Sequence, residues 1–140
     1  MNFGATMKTD TLLDNDAVTL VYYPEYGIVH HTIHRGITDE ELQEILETGL
    51  KAFIENGATK WLSDDRGNSD GVSQEQLEWG EINWITPMIN AGWKYWGLVV
   101  PDEMSAQEDM VAVIDAFYER GVRILIFTEI NRALNWLKGL

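Results

Sequence analysis

AVTLVYYPEYGIVHHTIHRGITDEEL, Ala17 to Leu42, spells out two strands, a turn and a helix start, and it sets the architecture of the whole chain. Ala17 to Tyr23 and Gly27 to His34 are β-branched and aromatic runs, the composition that fits a pleated, half-buried surface. Only P-E-Y-G separates them, so they pair as an antiparallel hairpin. Thr38 then opens a helix. Glu41 stands three residues after it, the spacing of a reciprocal capping box, and Asp39 and Glu40 sit where the helix dipole favours acids. Leu42, Ile45, Leu46, Leu50, Phe53 and Ile54 follow at helical spacing until Asn56-Gly57 ends the helix.

Downstream the pattern alternates. In TKWLSDDRGNSDGVSQEQ, Thr59 to Gln76, a strand over Thr59 to Asp64 passes through a polar junction into a helix capped by Ser73, with Gln76 three positions on. That helix carries Leu77, Trp79, Ile82 and Trp84. Pro87 is expected to kink or split it before Asn90-Ala91-Gly92 stops it. WKYWGLVV, Trp93 to Val100, reads as the fourth strand. Ser105 with Glu108 caps a helix whose stripe is Met110, Val111, Ile114 and Phe117. VRILIFT, Val122 to Thr128, is the fifth strand, and a last helix carries Ile130, Leu134 and Leu137. Strands separated by helices run parallel, and right-handed crossovers place them side by side. The expected fold is therefore α/β, with a mixed, mostly parallel five-stranded sheet in the order β-β-α-β-α-β-α-β-α. Residues 1–16 read as an N-terminal arm and 17–140 as a single domain.

Bulk properties narrow the function. A chain of 140 residues is the size of one domain with one core. Its formal net charge of -13 repels nucleic acid and anionic lipid headgroups, which excludes both as expected partners. Without cysteine there is neither a disulfide framework nor a thiolate metal site. No apolar run approaches the ~20 residues of a membrane span, and the first residues lack the basic flank of an export signal, so a soluble cytoplasmic protein is expected. No P-loop, G-x-S-x-G, H-E-x-x-H or dinucleotide fingerprint occurs, which argues against an enzyme and against a cofactor.

The antiparallel pair, the helix opening I-T-D-E-E-L, the strand W-L-S-D-D, the strand W-K-Y-W-G-L-V-V and the close F-T-E-I-N-R-A-L-N-W-L together resemble the SpoIIAA-like group of the STAS superfamily. The similarity runs from about Ala17 onward and includes the closing A-x-x-W-L at Ala133, Trp136 and Leu137. The resemblance implies strands in sequential order with the helices wound beside them. The best characterised STAS members are bacterial anti-anti-sigma factors, switched by phosphorylation of a serine in D-S-x-G. Others are thought to bind small or lipid-like ligands or to regulate transporters. Here the corresponding region reads N-S-D-G-V-S, so Ser69 and Ser73 are the positions to which a phosphoacceptor role transfers.

Read from the residues themselves, Asp64, Asp65 and Arg66 sit at the carboxyl end of a strand and before a helix, where open α/β sheets present ligands. The bland alternative is an acid paired with Arg66 or bonded to turn amides. Ser73 is a helix cap or, with added phosphate, a charge the dipole would hold. His30 and His34 share a strand face ~13 Å apart while His31 points the other way, so the three histidines do not close a metal site. His30 and His34 are expected to line a half-polar sheet surface sensitive to mild acidity. Alternation puts Trp93, Tyr95, Gly97 and Val99 on one face and Lys94, Trp96, Leu98 and Val100 on the other. If helices cover one side of the sheet only, one aromatic face must meet a partner subunit, a ligand or the arm.

Two functions follow. One is a non-catalytic regulatory or protein-interaction module, self-associating as a homodimer through that face. The other is a carrier of a small apolar or lipid-like ligand, with a pocket between the 73–91 helix and the sheet and with Trp61, Asp65, Arg66, Trp84 and Tyr95 as binding residues.

Overall fold

The computed structural model describes residues 8–105 and 108–140. Strands β1 (Asp10–Asp14), β2 (Val18–Tyr23), β3 (Ile28–Ile33), β4 (Lys60–Asp64), β5 (Tyr95–Val99) and β6 (Arg123–Phe127) form one sheet in sequential order. The first two pairings are antiparallel and the remaining three parallel. The mixed α/β architecture holds, but the sheet has six strands rather than five. The extra one is β1, which lies inside the stretch read as an arm. DTLLD is short and bounded by acids, and its pairing with β2 is broken by a bulge between Thr11 and Leu13, so no clean alternation marks it. Leu12 and Leu13 nevertheless pack on the main core.

The helices are α1 (Asp39–Glu55), α2 (Gln74–Gly80), a π-helical turn (Glu81–Ile85), α3 (Thr86–Asn90), α4 (Asp102–Ser105), α5 (Glu108–Glu119) and α6 (Ile130–Lys138). The capping box of α1 is complete: Thr38 Oγ1 accepts from the Glu41 amide and Glu41 Oε1 accepts from the Thr38 amide. The hairpin turn is the four-residue Pro24–Gly27, closed by the Gly27 amide on Tyr23 O, with Gly27 at φ 66°. Pro87 does split its helix, in an unexpected way. The turn before it widens, so that the Thr86 amide bonds Glu81 O five residues back, and Pro87 falls in the first turn of α3, where a missing N–H costs nothing. Glu81 is pinned there by Thr86 Oγ1 at 3.0 Å and by Arg120 Nη1 and Nη2 at 2.6 and 3.0 Å, tying the π turn to the end of α5. The Ser105–Glu108 cap lies outside the described side chains. Of the stripe on α5, Ile114 and Phe117 are half-buried but Val111 is 60 % exposed.

Because β3 to β6 advance in one direction, right-handed crossovers put α1, the α2–α3 segment and α5 on the same side. Their core contains Val29, Ile45, Phe53, Trp61, Trp84 and Trp93. A second core, of Ile28, Leu62, Val99, Ala133 and Leu137, fills the opposite face, because α6 turns back beneath β4, β5 and β6. The expectation of an uncovered aromatic face is thereby overturned. Tyr95 packs edge-on against Trp136 of α6, with centroids 6.1 Å apart at 90°. Gly97 permits this closeness: a Cβ there would stand 3.2 Å from Leu137 Cδ1 and 3.1 Å from Leu62 Cδ1. Trp93 also changes sides. It precedes the strand, its amide bonds Met88 O, and its ring joins Trp96, 4.8 Å between centroids, rather than Tyr95.

Burial divides the histidine pair that was expected to line one surface. His30 is buried on the α6 side between Tyr23 Oη, 2.8 Å from Nδ1, and Thr32 Oγ1, 3.1 Å from Nε2. His34 lies past the strand end, exposed, bonded to Thr19 Oγ1 at 2.7 Å. The two therefore do not line one exposed sheet surface.

Candidate functional site

A cavity of about 220 Å³ opens between α1, the α2–π segment and the sheet. Leu42 and Leu46 line it from α1, Leu77 and Gly80 from α2, and Trp84 from the π turn; Trp96 and Leu98 of β5 form part of its floor. Each of these placements follows from local sequence. The capped α1 presents its 42/46 stripe inward, and β5 alternates so that Trp96 and Leu98 face away from α6. The widened turn after Gly80 is what holds Trp84 over the sheet. Trp84 is the hub of the aromatic cluster, with centroids 5.0 Å from Trp61, 5.2 Å from Trp93 and 5.5 Å from Trp96.

One end of the cavity is polar. His31 Nε2 lies 2.7 Å from Asp65 Oδ1, and the Trp61 indole donates to His31 Nδ1 at 3.1 Å. An indole N–H can only donate, so Nδ1 is bare and the ring proton sits on Nε2, facing Asp65. Trp96 Nε1 donates to Ser63 Oγ at 2.9 Å. Gln43 donates to the buried Gln76 at 3.1 Å, fastening α1 to α2. Among the described residues, Trp84 Nε1 and Asn68 Oδ1 are buried and have no hydrogen-bond partner. The Asn68 amide nitrogen is used, donating to Gly71 O at 3.3 Å.

The five residues expected at the pocket divide between the two sides of the sheet. Asp65 and Trp84 line the cavity, and Trp61 stands directly behind it, fully buried. Arg66 and Tyr95 lie across the sheet instead. Tyr95 follows the odd positions of β5 onto the α6 side, and Arg66 forks onto Asp64 there, Nε to Oδ1 at 2.9 Å and Nη2 to Oδ2 at 2.8 Å. Burial pushes the Asp64 carboxyl upward, but the Arg66 guanidinium outweighs it and holds the group below its ordinary value. The bland reading of the acid–arginine pair therefore describes Asp64, while Asp65 faces the cavity.

Ser73 caps α2, its Oγ accepting from the Gln76 amide at 3.2 Å, and Ser69 is exposed in the loop before it. His31, Asn68, Trp96 and Gly80 were not anticipated as site residues. The available signal for His31 was alternation: it shares a face with Val29 and Ile33, both turned toward α1.

The chain matches no family model, no curated protein and no solved structure. No helix among the described residues is long and apolar enough to cross a membrane.

Proposed function

We propose that this domain is a non-catalytic binding module that takes a small, mostly apolar ligand into the cavity between α1, the α2–π segment and the sheet. One observation carries the reading. Gly80 is a buried helical residue lining the cavity, and a Cβ built on it would meet no atom within 4 Å. A helical glycine costs about 0.5–1 kcal/mol relative to alanine. No neighbouring side chain uses the space it leaves. That combination fits a wall kept bare for something that enters. The groups that could act as base or nucleophile are already engaged: both His31 nitrogens have partners, and the Ser63 hydroxyl receives the Trp96 N–H. Such an arrangement suits holding a molecule more than transforming it. The sequential strand order supports the SpoIIAA-like resemblance, whose superfamily includes members thought to bind lipid-like ligands.

Gly80→Leu tests the reading. Ethylbenzene is expected to raise the unfolding midpoint of the unaltered protein, as any ligand that binds only the folded state does. In the variant this rise is lost, because leucine occupies the site, while stability without ligand is unchanged or slightly higher. A variant that still responds to ethylbenzene overturns the proposal.

A homodimer remains a second reading, now carried by different residues. Val111 (60 % exposed), Val113 (37 %) and Tyr118 (64 %) on α5, and Leu125 (40 %) on the other face of the edge strand β6, are exposed apolar groups at this end of the sheet. Light scattering over a concentration series is expected to show a dimer that Val111→Asp with Leu125→Lys dissociates. A monomer at every concentration removes this reading.

A further inference from the structure

The polar end of the cavity also specifies what the ligand carries, an inference that rests on the binding reading above. Among the described residues that line the cavity, Asp65 is the one with a formal charge, and no lysine or arginine stands on the wall beside it. Its side chain has one hydrogen-bond partner among the described residues, His31, whose Nε2 lies 2.7 Å from Asp65 Oδ1. Because the Trp61 indole donates to His31 Nδ1, that nitrogen carries no proton and the imidazole is neutral. His31 therefore gives Asp65 a hydrogen bond and no positive charge. Arg66, next in the chain, is committed to Asp64 across the sheet. The Asp65 side chain is 36 % exposed, so its carboxylate is open to an incoming group.

A molecule that fills the apolar part of this cavity displaces water from the Asp65 carboxylate, and taking water from an unpaired charge is costly unless a donor replaces it. That requirement discriminates among head groups. A hydrocarbon replaces nothing, and a carboxylate head sets a like charge beside the first. A hydroxyl returns a single neutral donor. An ammonium returns up to three donors and the opposite charge, and charge-assisted hydrogen bonds are roughly twice as strong as neutral ones. The net charge of -13 acts in the same direction, since it draws cations toward the protein and repels anions. The rest of the wall, with Leu42, Leu46, Leu77, Trp96 and Leu98, suits a hydrocarbon or aromatic body. As to size, an engineered cavity of about 150 Å³ takes benzene, so this one, of about 220 Å³, accommodates about ten non-hydrogen atoms. We infer that the ligand is an apolar amine cation with a compact aromatic or branched aliphatic body, its ammonium group held by Asp65.

A matched series tests this at neutral pH: 2-phenylethylamine, 2-phenylethanol, phenylacetate and ethylbenzene, titrated into the full chain while the six indole N–H resonances are followed by NMR. The amine is expected to bind about tenfold tighter than the alcohol of the same size, and phenylacetate to bind weakest. Raising the ionic strength from about 0.01 M to about 1 M should narrow the gap between amine and alcohol. Asp65→Asn keeps an oxygen for the His31 N–H and removes the charge; in it the amine and the alcohol should bind within about twofold of each other, while ethylbenzene affinity does not fall. The ranking in the unaltered protein requires no variant. If the alcohol binds as tightly as the amine, if phenylacetate binds tightest, or if the preference for the amine survives Asp65→Asn, the inference falls and the apolar pocket stands. If none of the four binds, the pocket reading falls with it.

Discussion

Lowering the pH from 6.5 to about 4 is expected to cost the protein about 3 kcal/mol of folding stability through a single buried histidine. His30 is 8 % exposed and is lowered from 6.5 to about 4, first by burial, then by the neighbouring His31, with Asp64 pulling the other way. The unfolded chain binds a proton at this residue near pH 6.5, whereas the folded chain refuses it until about pH 4. Between those values the unfolded state holds more protons, so stability rises with pH and falls on acidification. A gap of about 2.5 pH units at 1.36 kcal/mol each is about 3.4 kcal/mol in full, of which about 3 kcal/mol is gone by pH 4 and roughly 2.5 kcal/mol by about pH 4.5. Tyr23 and Thr32 do not rescue the charged form, since their hydroxyls already serve the neutral ring. His30→Gln keeps two polar contacts without a proton to bind, and its urea midpoint should be nearly flat over this window. Measuring both proteins at each pH cancels the change in overall charge repulsion. A wild-type midpoint that does not move between pH 6.5 and 4.5, or a variant that falls in parallel with it, refutes the assignment.

His30 also shows how far the chain could be read without coordinates. What is decided within three or four residues was legible: the Pro24–Gly27 turn, the Thr38–Glu41 box, the Ser73 cap, and the strand-helix alternation that makes β3 to β6 parallel. Faces were legible only where the strand start was known. Moving the start of β5 from Trp93 to Tyr95 releases Trp93 from the alternation, and its ring turns to the other side. The side taken by α6 was not legible at all, because the crossover rule constrains a helix between two parallel strands and no strand follows α6. That one helix buries the face on which an aromatic interface was expected. At the cavity, Asp65 and Trp84 were within reach because strand ends and indoles draw attention. Asn68 and Gly80 were hidden, since nothing in a loop asparagine or a helical glycine reveals that a space lies beside it.

The D-D-R at Asp64 to Arg66 illustrates a division made by alternation alone, and it yields the second large effect. Asp65 turns to the cavity and Asp64 to the opposite face, where its side chain is 5 % exposed and held by both arms of the Arg66 fork. Arg66→Met removes the fork and keeps much of the apolar stem. Burial, which already pushes the Asp64 carboxyl upward, is then largely unopposed. Stranding one partner of a fully buried pair costs about 3–5 kcal/mol; here the arginine side chain is 41 % exposed and solvent screens it, so about 2 kcal/mol at neutral pH is expected. The pH dependence carries the sign. In the wild type the Asp64 carboxyl is lowered, so its contribution is present above the unfolded carboxylate range and is lost as pH falls through the folded value. In Arg66→Met the carboxyl is raised, so protonation relieves the variant, and the difference between the two proteins shrinks as the pH drops toward about 4. Asp64→Asn in the Arg66→Met background should restore most of the loss, since the buried charge is gone and an amide can still accept from the Arg66-position backbone N–H. Chemical denaturation of the four proteins of this cycle decides the matter: equal losses for Arg66→Met with and without Asp64→Asn would mean that the arginine contributes packing and not charge neutralisation.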